Sequence, residues 1–191
     1  MGYRHSQEEI LAAAIAVALD TGMGGLTFSK VGDRLGISDR TVVYYFANKA
    51  ELVSAVVAAV GANLVSVLEE AFGAEPQTQP ELVSRSWPVL TTPAADRVFR
   101  LYFEIVGLAS ARQAPYDELA AVLVEAWVEW LTPRLAGSSL QIRRRRALAT
   151  LAQIDGLLLL RLIAGPDAAD AGPRVGRAIA VVAQIVGDAE V

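Results

Sequence analysis

Leu35-Gly36-Ile37-Ser38-Asp39-Arg40-Thr41-Val42-Val43-Tyr44-Tyr45-Phe46-Ala47-Asn48-Lys49 is the stretch whose reading decides the fold. It reads as a stop, a turn and a short helix. Leu35 closes an amphipathic run, and Gly36 can take the left-handed conformation that ends a helix. Ile37 is apolar and can tuck the turn into a core. Ser38 stands as the N-cap, with a hydroxyl able to accept from a free amide two or three residues on. The helix that follows is about two turns long. Val42 and Phe46 lie four apart on one face and are its anchor. Arg40, Thr41, Tyr44 and Tyr45 then point elsewhere. A short helix held rigidly from beneath, with outward Arg, Thr and Tyr, suits a DNA major groove.

Upstream, Ser6-Gln7-Glu8-Glu9 is a capping box. Ile10, Leu11, Ala14, Ile15, Ala18 and Leu19 follow at helical spacing. That helix should stop at Thr21-Gly22-Met23-Gly24-Gly25. No strand precedes these glycines and no Lys-Ser/Thr pair follows them, so they read as a turn and not a phosphate loop. Thr27 can cap a second helix through Leu35, with Phe28, Val31 and Leu35 inward and Lys30 and Arg34 on one outer face. The three short helices over 6–47 form a helix-turn-helix arrangement.

Downstream, Asn48-Lys49-Ala50-Glu51 resembles another capping box and opens a long helix to about Phe72. Glu75–Pro80 reads as a loop. Thr92-Pro93 starts a helix to about Ala111, Tyr116–Leu131 is another, and Ser138 with Gln141 can cap one running to Ile163. A last helix is expected over about Ala169–Val186. No alternating strand pattern or repeat is visible, so the fold class is all-α: a helix-turn-helix domain over 1–47, then a larger helical domain over 48–191.

Composition narrows the function. Of the 191 residues 53% are apolar, enough for a sizeable core. There is no cysteine and a single histidine, His5, so thiolate chemistry is out and an imidazole metal site has little to work with. No metal or other cofactor is expected. No paired acids or Ser-His-Asp set suggests catalysis, so the chain reads as no enzyme. Net charge is −4, and residues 1–50 carry five basic and five acidic side chains. The deficit therefore lies in the remainder, and a DNA-binding face would have to be local. The weakly charged run Leu52–Leu68 is interrupted by Ser54, Gly61, Asn63 and Ser66. It reads as a buried helix, not a membrane span. The polar start, Met1–Glu9, is unlike a signal peptide, so a cytoplasmic location is expected.

The first fifty residues resemble the TetR family of transcriptional regulators. The resemblance is carried by Ile10–Ala14, Gly22, Leu26-Thr27, Val31, Leu35–Ser38, Thr41-Val42, Tyr44, Phe46, Asn48-Lys49 and Leu52, and it spans about residues 5–55. It implies a homodimer on a palindromic operator in double-stranded DNA, and a C-terminal domain that takes a small effector and then releases DNA. It implies base readers at Arg40, Thr41 and Ser29, and phosphate contacts at Thr27, Tyr44, Tyr45 and Lys49, with Ser38 in the same DNA-facing set. Two departures stand out. Val43 occupies a position where the family usually has Tyr, and Tyr45 replaces a common His, although a phenol can still donate to phosphate. Asp39 would repel a nearby phosphate, yet it favours the helix dipole and could accept from cytosine.

Other features read two ways. Arg4 and His5 are either an arm along the DNA backbone or plain surface. Arg143–Arg146 spread around their helix at about 100° each, which makes a solvated, domain-contacting face and not a second nucleic-acid stripe. Phe99, Tyr102, Phe103 and Val106 share one helical face, and Leu123, Trp127, Trp130 and Leu131 another, with Trp87 nearby. Aromatic stripes usually belong to cores, but the same material would line a pocket for an apolar effector. Glu104, Arg112, Gln153 and Asp155 are its candidate polar groups. Leu157–Leu160 and Ile179–Val186 are apolar on several sides and need cover. A four-helix interface between two subunits through residues 140–187 supplies it. The competing reading is a small-molecule-binding protein or enzyme with a vestigial helix-turn-helix.

Overall fold

Two reciprocal hydrogen bonds start the first helix. The Glu9 amide donates to Ser6 Oγ at 3.1 Å and the Ser6 amide to Glu9 Oε2 at 2.9 Å, which satisfies two amides that no helical carbonyl can reach. The computed structural model describes residues 5–72 and 75–170. Within it α1 spans Gln7–Gly25, but Gly22 takes φ +75° and turns the chain inside that span, so the expected stop stands. Ile10, Ala13, Ala14, Val17 and Ala18 are buried along one side of α1.

Thr27 caps α2 (Phe28–Leu35) by accepting from the Lys30 amide at 3.2 Å. Its end is a Schellman motif. Gly36 sits at φ +68°, its amide donates to the Asp33 carbonyl, and the Ile37 amide donates to the Gly32 carbonyl at 3.0 Å. A second glycine is needed for a different reason. A Cβ on Gly32 would lie 2.7 Å from the Ile37 carbonyl oxygen, so α2 and the following turn are packed backbone to backbone. Next comes α3 (Asp39–Tyr45). Ser38 holds the N-cap position, but its hydroxyl pairs with the Thr41 hydroxyl at 3.1 Å and caps no amide. Asp39 supplies the local bond instead, accepting from the Arg40 amide at 2.8 Å.

The long helix α4 is Lys49–Phe72. Asn48 Oδ1 accepts from the Glu51 amide at 2.9 Å, while the Glu51 carboxylate reaches back to the Ala47 amide at 3.0 Å, one residue earlier than a capping box requires. The remaining helices are α5 (Gln79–Leu90), α6 (Pro93–Ser110), α7 (Tyr116–Leu131), α8 (Leu140–Ala164) and α9 (Pro166–Asp170). A short 3₁₀ turn, Thr132–Arg134, follows α7. α5 begins inside the loop expected over 75–80, with Pro80 in its first turn and the Glu81 carboxylate accepting from the Thr78 amide and hydroxyl. Ser139, not Ser138, caps α8 by accepting from the Ile142 amide. α9 starts ahead of the expected Ala169, and 171–186 lies outside the described residues. Among the described residues there is no strand, only an isolated bridge between Gln77 and Leu135, so the chain is all-α.

The described residues pack as two compact units. The first contains residues through Val65 together with Arg97–Leu123. Its core joins Ile10, Ala14, Met23, Leu26, Val31, Val42, Phe46, Leu52, Val53 and Val56 with Leu101, Ile105 and Tyr116. The run that begins at Leu52 thus gives its first apolar side chains to this core. The second unit contains Ser66–Asp96 and the described residues from Val124. Within it Arg161 of α8 clasps the start of α6, pairing with Asp96 at 3.1 Å and donating to the Thr91 carbonyl at 3.0 Å. By length and composition alone, α4 over Lys49–Ser66 and α8 would each reach across a membrane.

Gly36→Ala should destabilise the chain by about 1–2 kcal/mol, the cost of a Cβ in the left-handed region. Gly32→Ala should cost at least as much, because the obstructing atom is a backbone carbonyl and no rotamer change relieves it. Chemical-denaturation midpoints of the two variants check this. A Gly32→Ala midpoint equal to that of the unsubstituted chain would refute the close approach.

Candidate nucleic-acid interface

The α3 segment is held from one side only. Val42 is fully buried and Phe46, just past the helix end, is nearly so, and its amide donates to the Val42 carbonyl at 3.0 Å. Both belong to the core of the first unit. Opposite them the surface is open. Tyr44 is 83% exposed and Val43 41%. Arg40 is exposed, and so are Ser29, Thr27, Ser38 and Lys49 from the flanking elements, while Thr41 is half-buried. Among the described residues neither the Arg40 guanidinium nor the Lys49 ammonium has a hydrogen-bond or ion-pair partner. Arg34, by contrast, is tied to Asp20 at 3.0 Å. The free cations of this face are therefore fewer than its sequence suggests; Arg40 lies on α3 itself and Lys49 at the start of α4.

Tyr45 departs from expectation. It is half-buried, and its hydroxyl donates to the His5 carbonyl at 2.6 Å. A phenol has one proton to give, so that donor is already engaged and Tyr45 braces the chain just ahead of α1. Its ring meets that of Tyr44 edge-on, with centroids 5.1 Å apart, which leaves Tyr44 as the outward phenol. Arg4, the other half of the supposed arm, lies outside the described residues. Thr27 remains exposed although its hydroxyl oxygen caps α2.

The candidate effector residues fall into two sets. In the first unit Phe99, Tyr102 and Phe103 form a ring cluster along α6, with centroid separations of 5.1–6.5 Å, and Val106 of the same face is exposed. In the second, Trp127 and Trp130 meet edge-on at 5.5 Å, and Trp130 also packs against Phe72 and carries the Arg134 guanidinium 4.0 Å above its ring. Trp87 is buried there, and Gln153 pairs with Gln79 at 3.0 Å. Arg143, Arg144 and Arg146 fan out to the Gly137 carbonyl, Glu125 and the Ala136 carbonyl respectively, so the run makes no single stripe. Arg112 is exposed at φ +55° and Asp155 is half-buried.

Glu104 was expected among pocket groups and instead serves the first unit. Its carboxylate accepts from the Met23 amide at 3.0 Å and the Gly24 amide at 3.1 Å. Gly22 makes room for it, since a Cβ there would stand 2.7 Å from Glu104 Oε2. Burial first, and then the Glu104 charge, pushes the nearby Tyr116 phenol above its usual range. No signal local to residue 104 announces this contact. The glycine-rich turn at 22–25 is half of it, read as a turn without its partner. Gly32 was legible in principle, because glycine inside a helix is unfavourable and often marks a close approach.

Residues 10–56 match the sequence profile of the bacterial regulatory proteins, tetR family. No curated protein matches the chain. Among solved structures, a transcriptional regulator from Rhodococcus sp. Rha1 shares 20% identity at a TM-score of 0.73, covering 92% of this chain and 95% of its own. A TetR transcriptional regulator from Legionella pneumophila shares 20% at 0.68, covering 94% and 99%. The multidrug binding protein EbrR, complexed with proflavin, shares 22% at 0.66, covering 90% and 97%. At these identities the likeness is one of fold.

Phe46→Ala should cost about 3–5 kcal/mol, as for a buried aromatic whose site cannot collapse, whereas Tyr45→Phe should cost only about 1 kcal/mol for its hydrogen bond. Equilibrium unfolding followed by circular dichroism separates the two. Equal effects would mean that α3 is not pinned where its burial indicates.

Proposed function

We propose, starting from the membership of this chain in the tetR family of bacterial regulatory proteins, a specific division of labour for it. As a member it is a DNA-binding transcriptional regulator. The finer reading is a cytoplasmic repressor that sits as a homodimer on a palindromic operator and leaves it when a small apolar effector binds. Residues 1–47 read DNA, and residues 48–191 carry effector binding and dimerisation, with no catalytic step.

One observation carries this reading. A two-turn helix is pinned by Val42 and Phe46 while Arg40 on it and Lys49 just past it stand uncompensated. A bare guanidinium on a rigid short helix suits the paired acceptors of a guanine edge. Lys49 sits at the N-terminus of α4, where it works against the helix dipole and is better placed with a phosphate nearby. Arg40, Thr41 and Ser29 face bases in this account. Thr27, Ser38, Tyr44 and Lys49 contact the backbone, and Tyr45 acts as a brace. Asp39, bonded to the Arg40 amide, sets the start of the helix.

The aromatic sets on α6 and α7 support an apolar effector, and the proflavin held by EbrR supports a flat aromatic one by analogy of fold. Dimerisation is placed on 140–187. Leu148, Leu159, Leu160 and Ile163 of α8 are exposed, and such a row of large apolar groups calls for cover. The part beyond Asp170 lies outside the described residues. Two subunits joined this way would offer α3 to half-sites roughly 34–36 Å apart.

The test is binding of the purified chain to the DNA flanking its own gene across a range of salt. Arg40→Ala should lose about 1–3 kcal/mol and relax sequence preference, while Lys49→Ala should weaken all sequences alike and lower the salt slope by about one. Absence of any specific complex, or full binding by the double variant, would defeat the reading.

A further inference from the structure

Helix α6 has two opposed faces. At about 100° per residue, Arg97, Leu101, Glu104, Ile105 and Leu108 fall on one side, and Phe99, Tyr102, Phe103 and Val106 on the other. The first side is fastened to the N-terminal helices. Leu101 and Ile105 enter their core, and Leu108 packs against it. Glu104 holds the Met23 and Gly24 amides. Arg97 pairs with Asp20 at 2.6 Å, and the same carboxylate holds Arg34 of α2 at 3.0 Å. The Asp20 links are roughly half exposed and weak singly. The Glu104 bonds are charge-assisted and close on a turn whose Gly22 leaves no room for another side chain.

We propose that Glu104 is a positioning residue for DNA reading: by clamping the Gly22–Gly24 turn it makes α6 set where α2 and α3 stand on α1. A displacement of α6 imposed at its aromatic face then has a route to α2, and through it to α3, by way of the Gly22–Gly24 turn, beside the core that α6 shares with α4. The inference rests on α3 being the DNA-reading element. Its thermodynamic form is a population shift. Without the clamp the head samples positions that do not fit the groove, and apparent affinity falls by the fraction lost.

Charge makes the idea testable. Removing a carboxylate from a DNA-binding head should by itself strengthen binding to a polyanion, so a loss runs against the electrostatic trend. Glu104→Gln and Glu104→Ala change the charge equally and differ in the acceptor they leave. The experiment titrates the full chain with the DNA flanking its own gene over a range of salt, with thermal unfolding and amide exchange at Met23 and Gly24 measured alongside. Glu104→Ala should bind about tenfold more weakly at every salt concentration, giving a line parallel to that of the unsubstituted chain. Glu104→Gln should fall between, and the Met23 and Gly24 amides should exchange faster in the order of the losses. Should Glu104→Ala fail to fold, Glu104→Gln and Asp20→Asn decide, the latter with an expected loss of about twofold at unchanged melting temperature. Unchanged or tighter binding by folded variants whose turn amides exchange faster overturns the proposal. If the unsubstituted chain itself forms no specific complex, the DNA-binding reading falls and takes this inference with it.

Discussion

The contact between Gly32 and the Ile37 carbonyl is the constraint on which the head of this molecule depends. Two backbones meet with no side chain between them, and the Ile37 amide returns to the Gly32 carbonyl to close the turn. That closure sets the angle at which α3 leaves α2 and lets a helix of seven residues be rigid. A helix so short is marginal in isolation. Its order comes from Val42 and Phe46 beneath it and from the turn before it. Everything outward of that anchor, Arg40 and Tyr44 above all, inherits its position from packing.

Much of this was legible because the relevant signals are local. The Ser6/Glu9 box, the Thr27 cap, the Gly36 stop and the bounds of α7 all follow from residue types three or four apart. The misses are of two kinds. Where two capping groups compete side by side, sequence does not choose between them. Asp39 takes the local bond expected of Ser38, and Ser139 does the work expected of Ser138. Where the partner is distant, there is no pattern to read. Glu104 and the Met23 amide are separated by 81 positions, and neither end carries a helical or turn signature of the other. The inward turn of the Tyr45 hydroxyl belongs to the same kind, since its acceptor is a carbonyl forty residues away.

Charge bookkeeping by sequence also needed three dimensions. A head with balanced charges is unpromising for a polyanion, but balance conceals distribution. Asp20 ties down both Arg34 and Arg97 at one place, and Asp39 is engaged with a backbone amide at the helix start. Arg40 on α3 and Lys49 at the start of α4 carry no such tie, and charges this close to a phosphate act within the screening length of about 8 Å. The acidic excess of the chain lies beyond residue 50 and is no obstacle to a local encounter with phosphate.

The fit of Glu104 against Gly22 has an implication for descent as well as for mechanism. A residue larger than glycine at 22 would push the carboxylate off the amides it serves, and a shorter acid at 104 would leave those amides bare. Neither site can drift alone without passing through a loosened intermediate. In related chains the two should be inherited together, as a glycine and a glutamate or as a different pair that has changed hands at both ends. Such a lineage constraint would tie α6 to the turn at the end of α1 through one identifiable pair of positions.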